Sequence, residues 1–558
     1  MGKSKRYSAA VMALIVLAAL LAGCAGENGG GGKTNEPKPT VSNDNGNQAS
    51  AAGENGEKGE KLDISMSFFN ISKAFPDRKS DEFLKFIQDK FNVRIVDNVI
   101  SYADYAEKYQ LWAAAGDLPD VFSDDIINSE TYYSWINQGI IRALPEDLSK
   151  YPNVQNVLNL EDTKSLKVEG RYYMIPRQTY KETDQWAIER SIVVRKDWME
   201  NLGLEAPVTY DDYLNMYKAF VNGDPDGNGA DDTVGLTFRA NSSMLLPIAG
   251  GTLPNLINSS WVKEDGKYIP YYASERMKDA VVQMRKLYAE GAIDPDFAIM
   301  KTNDGFDKFG QGKVGALSVQ GTANALNSMK TAWEKYNKDK AFEDSVEILP
   351  VSWEAADGNR YRYTAVTFWS ESYFSANVSD EKMDRILQIY DWLLSDEFMT
   401  FKRYGFEGKD YKKEGDKFVI TRDEGSDGQY KSLGSLYPSY GGLFGSLAAW
   451  GQQLELEENE INKINYGEKL WTLSHEAYKS NREKLMPIPT NFKVEQLYTP
   501  AKAKLSAINP VDDVIKVMLG KGDPAAMWES ILKGYDDKGL QPAIKEVNDE
   551  VQKLGLDK

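Results

Sequence analysis

The chain has 558 residues, 42% of them hydrophobic and 11% aromatic, with a formal net charge of −18 and a pI near 4.9. That length supports more than one core-sized domain, and the acidic balance excludes a nucleic-acid partner, whose phosphates demand a basic face. A single cysteine and a single histidine exclude disulfides and His-rich zinc sites.

The first feature in chain order is a basic stretch, Lys3, Lys5 and Arg6, followed by the apolar run from Ser8 to Ala22. That run is shorter than the roughly 20 residues of a membrane-spanning helix, so it predicts a secretory signal peptide over residues 1–23. It ends in "LAGC", Leu21 to Cys24, which resembles a bacterial lipobox. The resemblance implies lipidation of Cys24 and anchoring on the outer face of the cell membrane, as in Gram-positive bacteria. With Cys24 occupied by lipid, no thiol nucleophile is left. Residues 24–60 are Gly, Asn, Glu, Lys, Ser and Pro, with little to bury, and predict a disordered tether.

The folded body opens with "LDISMSFFN", where Leu62, Ile64, Met66 and Phe68 alternate as in a strand. "KSDEFLKFIQDKFN" follows as a helix with Ser80 as N-cap and Phe83, Phe86, Ile87 and Phe91 at helical spacing. "VRIVDNVI" then reads as a second strand, so the body begins β-α-β, the unit of a parallel sheet. "SIVV" (Ser191 to Val194) and "KVGALSV" (Lys313 to Val319) are further strands. Amphipathic helices run through Met277, Val281, Met284 and Tyr288, and through Ile386, Ile389, Tyr390 and Leu393. Asp523 and Pro524 start another as N-cap and N1. There is no internal repeat, and the pattern is α/β in two lobes.

Between two of these elements lies "DPDGNGADDTVG", Asp224 to Gly235. Calcium takes six to eight oxygen ligands, and an EF-hand loop supplies them from positions 1, 3, 5, 7, 9 and 12, with Gly at 6. Counting from Asp224, these positions hold Asp224, Asp226, Asn228, the Ala230 carbonyl and Asp232, with Gly229 at 6. Position 12 is Gly235, so the bidentate Glu of a sensor is missing, and "TVGLTF" continues as a strand rather than an exit helix. The loop reads as a structural metal site, with a solvated Asx turn as its alternative.

Catalytic signals are sparse. His475 has no candidate partner nearby in the sequence, and there is no P-loop and no Gly-rich dinucleotide fingerprint. Paired carboxylates for glycoside hydrolysis need no histidine, and 84 acidic residues leave that chemistry open without any local pattern picking out a pair. Aromatic residues cluster in "TYYSW", "TFWSESYF" and "SLYPSYGGLFGSLAAW". The last reads as a loop from its Gly, Ser and Pro content, with rings suited to stacking on sugars.

Together these segments resemble the family 1 extracellular solute-binding proteins, in particular the large lipoproteins of Gram-positive carbohydrate ABC importers. The matching stretches include "AAAGDLPDVF", "EGRYYMIP", "VVRKDWMENLGLEAPVTYDDY", "DPDGNGADD", "LYAEGAIDPDF", "GKVGALS" and the final "GDPAAMWESILKGYDDKGLQPAIKEVN". The resemblance implies a two-lobed, type II periplasmic-binding-protein-like fold, each lobe a mostly parallel sheet flanked by helices, closing on ligand at a hinge. It places residues 61–178 with 319–373 in the N-terminal lobe and 179–318 with 374–558 in the C-terminal lobe. The chain would cross just after Pro176, near Val319 to Gly321, and around Phe374 to Ala376.

By position the resemblance nominates cleft residues: Phe69 and Asn70, Asp124 and Asp125, Tyr180 and Trp186, Trp369 and Tyr373, and Tyr437, Tyr440 and Trp450. In similar alginate-oligosaccharide binders the Asp-rich loop holds a structural calcium with a carboxylate at position 10. Here that position is Thr233, a weaker ligand. The implied role is to capture an oligosaccharide and deliver it to two permease subunits, as a monomer and without chemistry on the ligand. A surface polysaccharide-degrading enzyme and a peptide- or signal-binding lipoprotein of the same fold are the alternatives.

Overall fold

The computed structural model describes residues 61–557, apart from 103, 240–260, 302, 352, 356, 425–429, 452–459 and 489. The expected signal peptide, Cys24 and the tether lie outside the described residues.

The opening β-α-β forms as expected. Strand β1 (Leu62–Ser67) pairs in parallel with β2 (Val93–Asp97) and β3 (Val121–Asp124). Its alternation buries Ile64 and Met66 on the face covered by Phe83, Leu84 and Ile87 of the helix Glu82–Lys90. That helix is capped by Asp81 and not by Ser80. Leu84 N donates to Asp81 Oδ1 at 2.8 Å, while Ser80 turns to Asp77. Asp81 is taken because its carboxylate also receives Ser439 N and Oγ, at 2.7 and 2.9 Å, from a segment 358 residues away.

Strands β4 (Met174–Gln178) and β12 (Phe368–Phe374) complete the first sheet, in the order β2-β1-β3-β12-β4. β12 runs antiparallel to both its neighbours. The second sheet contains β5 (Arg190–Arg195), β6 (Val234–Phe238), β9 (Val314–Gln320) and β10 (Val346–Pro350), in the order β10-β5-β9-β6. Only β6 and β9 are parallel there. The sheets are therefore mixed rather than mostly parallel. A crossover helix fixes strand direction only for the strands it joins, and β5 and β12 each enter from the connection between the lobes.

β5 shows why "SIVV" is a continuous apolar run: Ile192 and Val194 join one core and Val193 another, on opposite faces of the second sheet. β9 passes so close to the helix Tyr210–Asn222 that a Cβ on Gly315 would lie 2.2 Å from Phe220 Cδ2. The glycine in "GKVGALS" is a packing requirement.

Two lobe boundaries differ from expectation. β9, the helix Ala323–Trp333 and β10 all belong to the second lobe. The helices Asp380–Leu393 and Asp396–Tyr404 and the turns up to Ala448 pack into the core of the first. The first crossing falls between β4 and β5. The second falls between β10 and β12, not at Val319 to Gly321, and the third follows Ala449, not Phe374 to Ala376. An amphipathic stripe states that a helix needs a core, and not which core.

Candidate functional site

A cleft of about 510 Å³ lies between the lobes. Asp125, Asn128, Trp369 and Glu371 line it from the first lobe, and Trp261, Tyr271, Glu495 and Lys502 from the second. The first-lobe groups are set by strand ends and one irregularity. β3 ends at Asp124, where the chain turns, which leaves Asp125 exposed in the cleft.

In β12 the register against β4 slips by one residue between Phe368 and Glu371, a bulge, and Ser370 adopts a φ of 61°. A serine in the left-handed region is strained and persists only when held. Arg177 holds it: Nε donates to Trp369 O at 3.0 Å and to Ser370 Oγ at 2.9 Å. The Arg177 guanidinium sits 4.6 Å from the Trp369 ring centroid, 5.1 Å from Trp450, and 5.7 Å from both Phe68 and Phe69. Burial lowers its pKa to about 10, so it stays cationic at neutral pH.

Around this bulge the cleft floor is acidic. Asp124 and Glu371 are 2% and 1% exposed. Burial pushes the Asp124 carboxyl up to about 7 and the Glu371 carboxyl well above its ordinary value, the latter reinforced by the charge of Asp125. Glu371 Oε2 accepts from the Tyr373 hydroxyl at 2.7 Å, and Asp124 Oδ1 from Asp125 N at 2.8 Å. Glu371 Oε1, Asp124 Oδ2 and Arg177 Nη2 are buried together with no hydrogen-bond partner within bonding geometry among the described residues. Across the cleft, Lys502 Nζ donates to Val494 O and Glu495 O, at 3.0 and 2.6 Å, and lies 5.5 Å from the Trp261 ring centroid. Glu495 accepts from Trp261 N at 2.9 Å.

Of the residues nominated from the sequence, Asp125 and Trp369 line the cleft. Asp124 lies beneath, and Trp450, 41% exposed, stands 5.5 Å from Trp369 between ring centroids. Phe69 is buried against Tyr105 and Trp369, supporting the wall, and Asn70 is exposed at the start of a short turn. Tyr180 and Trp186 are buried at the first crossing. The Tyr180 hydroxyl bonds Glu189, and Trp186 Nε1 donates to Val366 O at 2.9 Å.

Tyr373 is core, and Tyr437 is buried with its hydroxyl on Asp410 Oδ2 at 2.7 Å. Tyr440 packs among Phe83, Phe398 and Phe401. The segment carrying Tyr437 and Tyr440 forms a short α-helix and then a wide π-helical turn, and a Cβ on Gly442 would lie 2.5 Å from Ala74 N. Its glycines mark close packing against the first lobe, which a reading as an open loop mistakes. Sequence reasoning missed Arg177, Glu371, Trp261 and Lys502. The one available signal was Glu371, an acid inside the apolar strand "TFWSESYF". His475, without a sequence partner, stacks on Trp471 with centroids 4.6 Å apart.

The Asp-rich loop is a self-bonded turn that contributes no residue to the cleft lining. Asn228 N and Gly229 N donate to Asp224, and Asn228 Nδ2 donates to Asp226 and Asp232 at 3.0 and 3.2 Å. Gly227 and Gly229 take the left-handed φ values, 69° and 79°, that the turn needs. Thr233 does not join it, because its hydroxyl donates to Phe220 O at 2.7 Å in the lobe core. Among the described residues no group of three or more His, Cys, Asp or Glu side chains is arranged to hold a metal. The carboxylates of Asp226 and Asp232, converging on one amide, are the part of the loop that suits a hard cation, and Thr233 is not.

Two mixed sheets flanked by helices, with a cleft between them, make up the described body. The chain belongs to the bacterial extracellular solute-binding protein family, whose model matches residues 76–400. It is 25% identical over 420 residues to the polygalacturonan/rhamnogalacturonan-binding protein YtcQ of Bacillus subtilis, covering 74% of this chain and 75% of that one. It is 27% identical over 497 residues to the lipoprotein LipO of the same organism, covering 87% and 89%. Among solved structures it resembles the Streptococcus pneumoniae ABC-transporter substrate-binding protein FusA in complex with kestose. That match has a TM-score of 0.63 at 16% identity, over 89% of this chain and all of that one. An EF-hand mutant of FusA has also been solved.

Proposed function

We propose that this protein captures an oligosaccharide in the inter-lobe cleft and delivers it to the permease of an ABC importer, without altering it. The observation that carries the reading is the pairing of polar groups on the cleft lining, Asp125, Asn128 and Glu371, with the aromatic walls of Trp369 and Trp261. Sugar hydroxyls hydrogen-bond the first and ring faces stack on the second. The family and the sugar-related names of YtcQ and FusA support it. The lipobox-like "LAGC" supports tethering through Cys24 to the outer face of the membrane, with residues 24–60 as spacer, and the tethered protein is read as a monomer. The loop from Asp224 to Asp232, with the Ala230 carbonyl and without Thr233, is proposed as a structural calcium clip.

A thermal-shift screen of the purified protein against oligosaccharides and peptides tests the reading. A ligand at 100 times its dissociation constant adds about 2.7 kcal/mol to stability. Stabilisation by sugars with no turnover of a labelled oligosaccharide is expected. Stabilisation by peptides alone, or release of shortened sugars, would replace the reading with the peptide-binding or degrading alternative.

A further inference from the structure

We propose that the cleft selects an uncharged oligosaccharide and rejects uronate-bearing ones; this rests on the reading of the cleft as an oligosaccharide site. The titratable groups in and under the cleft are Asp124, Asp125, Glu371 and Glu495, with Arg177 and Lys502. Neither cation is available to an incoming carboxylate. Arg177 is 3% exposed and enclosed by four aromatic rings; its Nε is committed to the β12 bulge, and its Nη2, though without a hydrogen-bond partner among the described residues, is sealed from the cleft by that burial. Lys502 is committed to two backbone carbonyls, with the Glu495 carboxyl beside it. The internal segments 240–260, 425–429 and 452–459 contain no Lys, Arg or His, so their sequence adds no cation.

A uronate entering this cleft would lose its water, meet no accessible cation among the described residues, and face the Asp125 carboxyl on the lining. Like charges placed together across an interface are a recognised device for excluding wrong partners. The ligand chemistry therefore departs from the galacturonate-containing polymers in the name of YtcQ.

The test is a glycan array on the full-length protein, followed by calorimetry. The array carries neutral fructo-, manno-, xylo- and galacto-oligosaccharides, oligogalacturonates of three to six units, and the carboxyl-reduced forms of those oligogalacturonates. Hits confined to neutral glycans, with any uronate at least about tenfold weaker than its reduced form, are expected. An oligogalacturonate among the tightest hits overturns the inference and leaves the oligosaccharide reading standing. Absence of any glycan binding overturns the reading itself. Asp125→Asn, at an exposed position, should narrow the gap between reduced and uronate forms severalfold by strengthening the uronate. An unchanged gap would show that charge in the floor is not the cause.

Discussion

The ring of Tyr133, from the first lobe, lies on that of Tyr498, from the second, with centroids 3.4 Å and planes 27° apart. The Tyr133 hydroxyl donates to Asn128 Oδ1 at 3.0 Å, and the Asn128 amide donates to Gln496. These contacts hold the lobes together beside the cleft. An aromatic pair contributes about 0.5–1.5 kcal/mol beyond its area. Tyr133→Ala should therefore shift the open-to-closed ratio by about two- to tenfold. Small-angle scattering of the ligand-free variant should show a larger radius of gyration. A curve superimposable on that of the parent protein would rule the clasp out.

Trp450 owes its place to Lys402, whose Nζ donates to Gly445 O, Ala449 O and Trp450 O at 2.7, 2.9 and 3.1 Å. Lys402→Met leaves these carbonyls without their donor, at about 1–3 kcal/mol for a buried group left unpaired. Urea denaturation should show that loss, with weaker glycan binding beside it. Trp450→Ala should weaken binding about tenfold at nearly unchanged stability, because the ring is largely exposed. Equal stability losses in both variants would contradict this division.

Stability should fall with rising pH on account of the cleft floor. The Asp124 carboxyl is pushed up to about 7 by burial, against about 3.9 in an unfolded chain. Its stabilising contribution is complete below about pH 4 and lost as pH rises through 7, because the unfolded state ionises first. The urea midpoint of the ligand-free protein should be higher at pH 5 than at pH 7.5. Asp124→Asn should reduce that difference, and an undiminished difference would exclude Asp124 as its source.

If the Asp-rich loop is a calcium clip, chelation should lower the melting temperature of the parent protein and leave Asp226→Ala unmoved. Glycan affinity well below melting should change less than about twofold, since the loop contributes no residue to the cleft lining. Identical melting with and without chelator would reduce the loop to an Asx turn.

Gly315→Ala should destabilise by about 1–3 kcal/mol through overpacking against Phe220. A chemical denaturation midpoint measures this directly. A neutral result would mean that the helix Tyr210–Asn222 can move away at no cost.

Local signals in the sequence were sound where the responsible physics is local. Alternation in "LDISMSFFN", helical spacing from Phe83 to Phe91, and the Asp523–Pro524 start all appear as expected. The failures share a different cause. Ser80 lost the cap to Asp81 because Asp81 also receives Ser439. Tyr437 and Tyr440 went to the core because Gly442 lets their segment approach Ala74. Arg177, four residues past "EGRYY", shows no pattern at all, since its role depends on rings contributed by β12 and by Trp450.

By itself the sequence determined the α/β class, the unusual poverty in nucleophiles and metal-binding histidines, the Asp-rich turn and the family resemblance. Periodicity, composition and motif order are properties of neighbouring residues, and they survive without the fold. Only the tertiary structure decided which lobe each late helix joins, which aromatics face the cleft, and that its floor carries carboxylates without an accessible cation. Those properties arise where Asp125, Glu371 and Lys502 meet, and residues so far apart in the chain are brought together by packing alone.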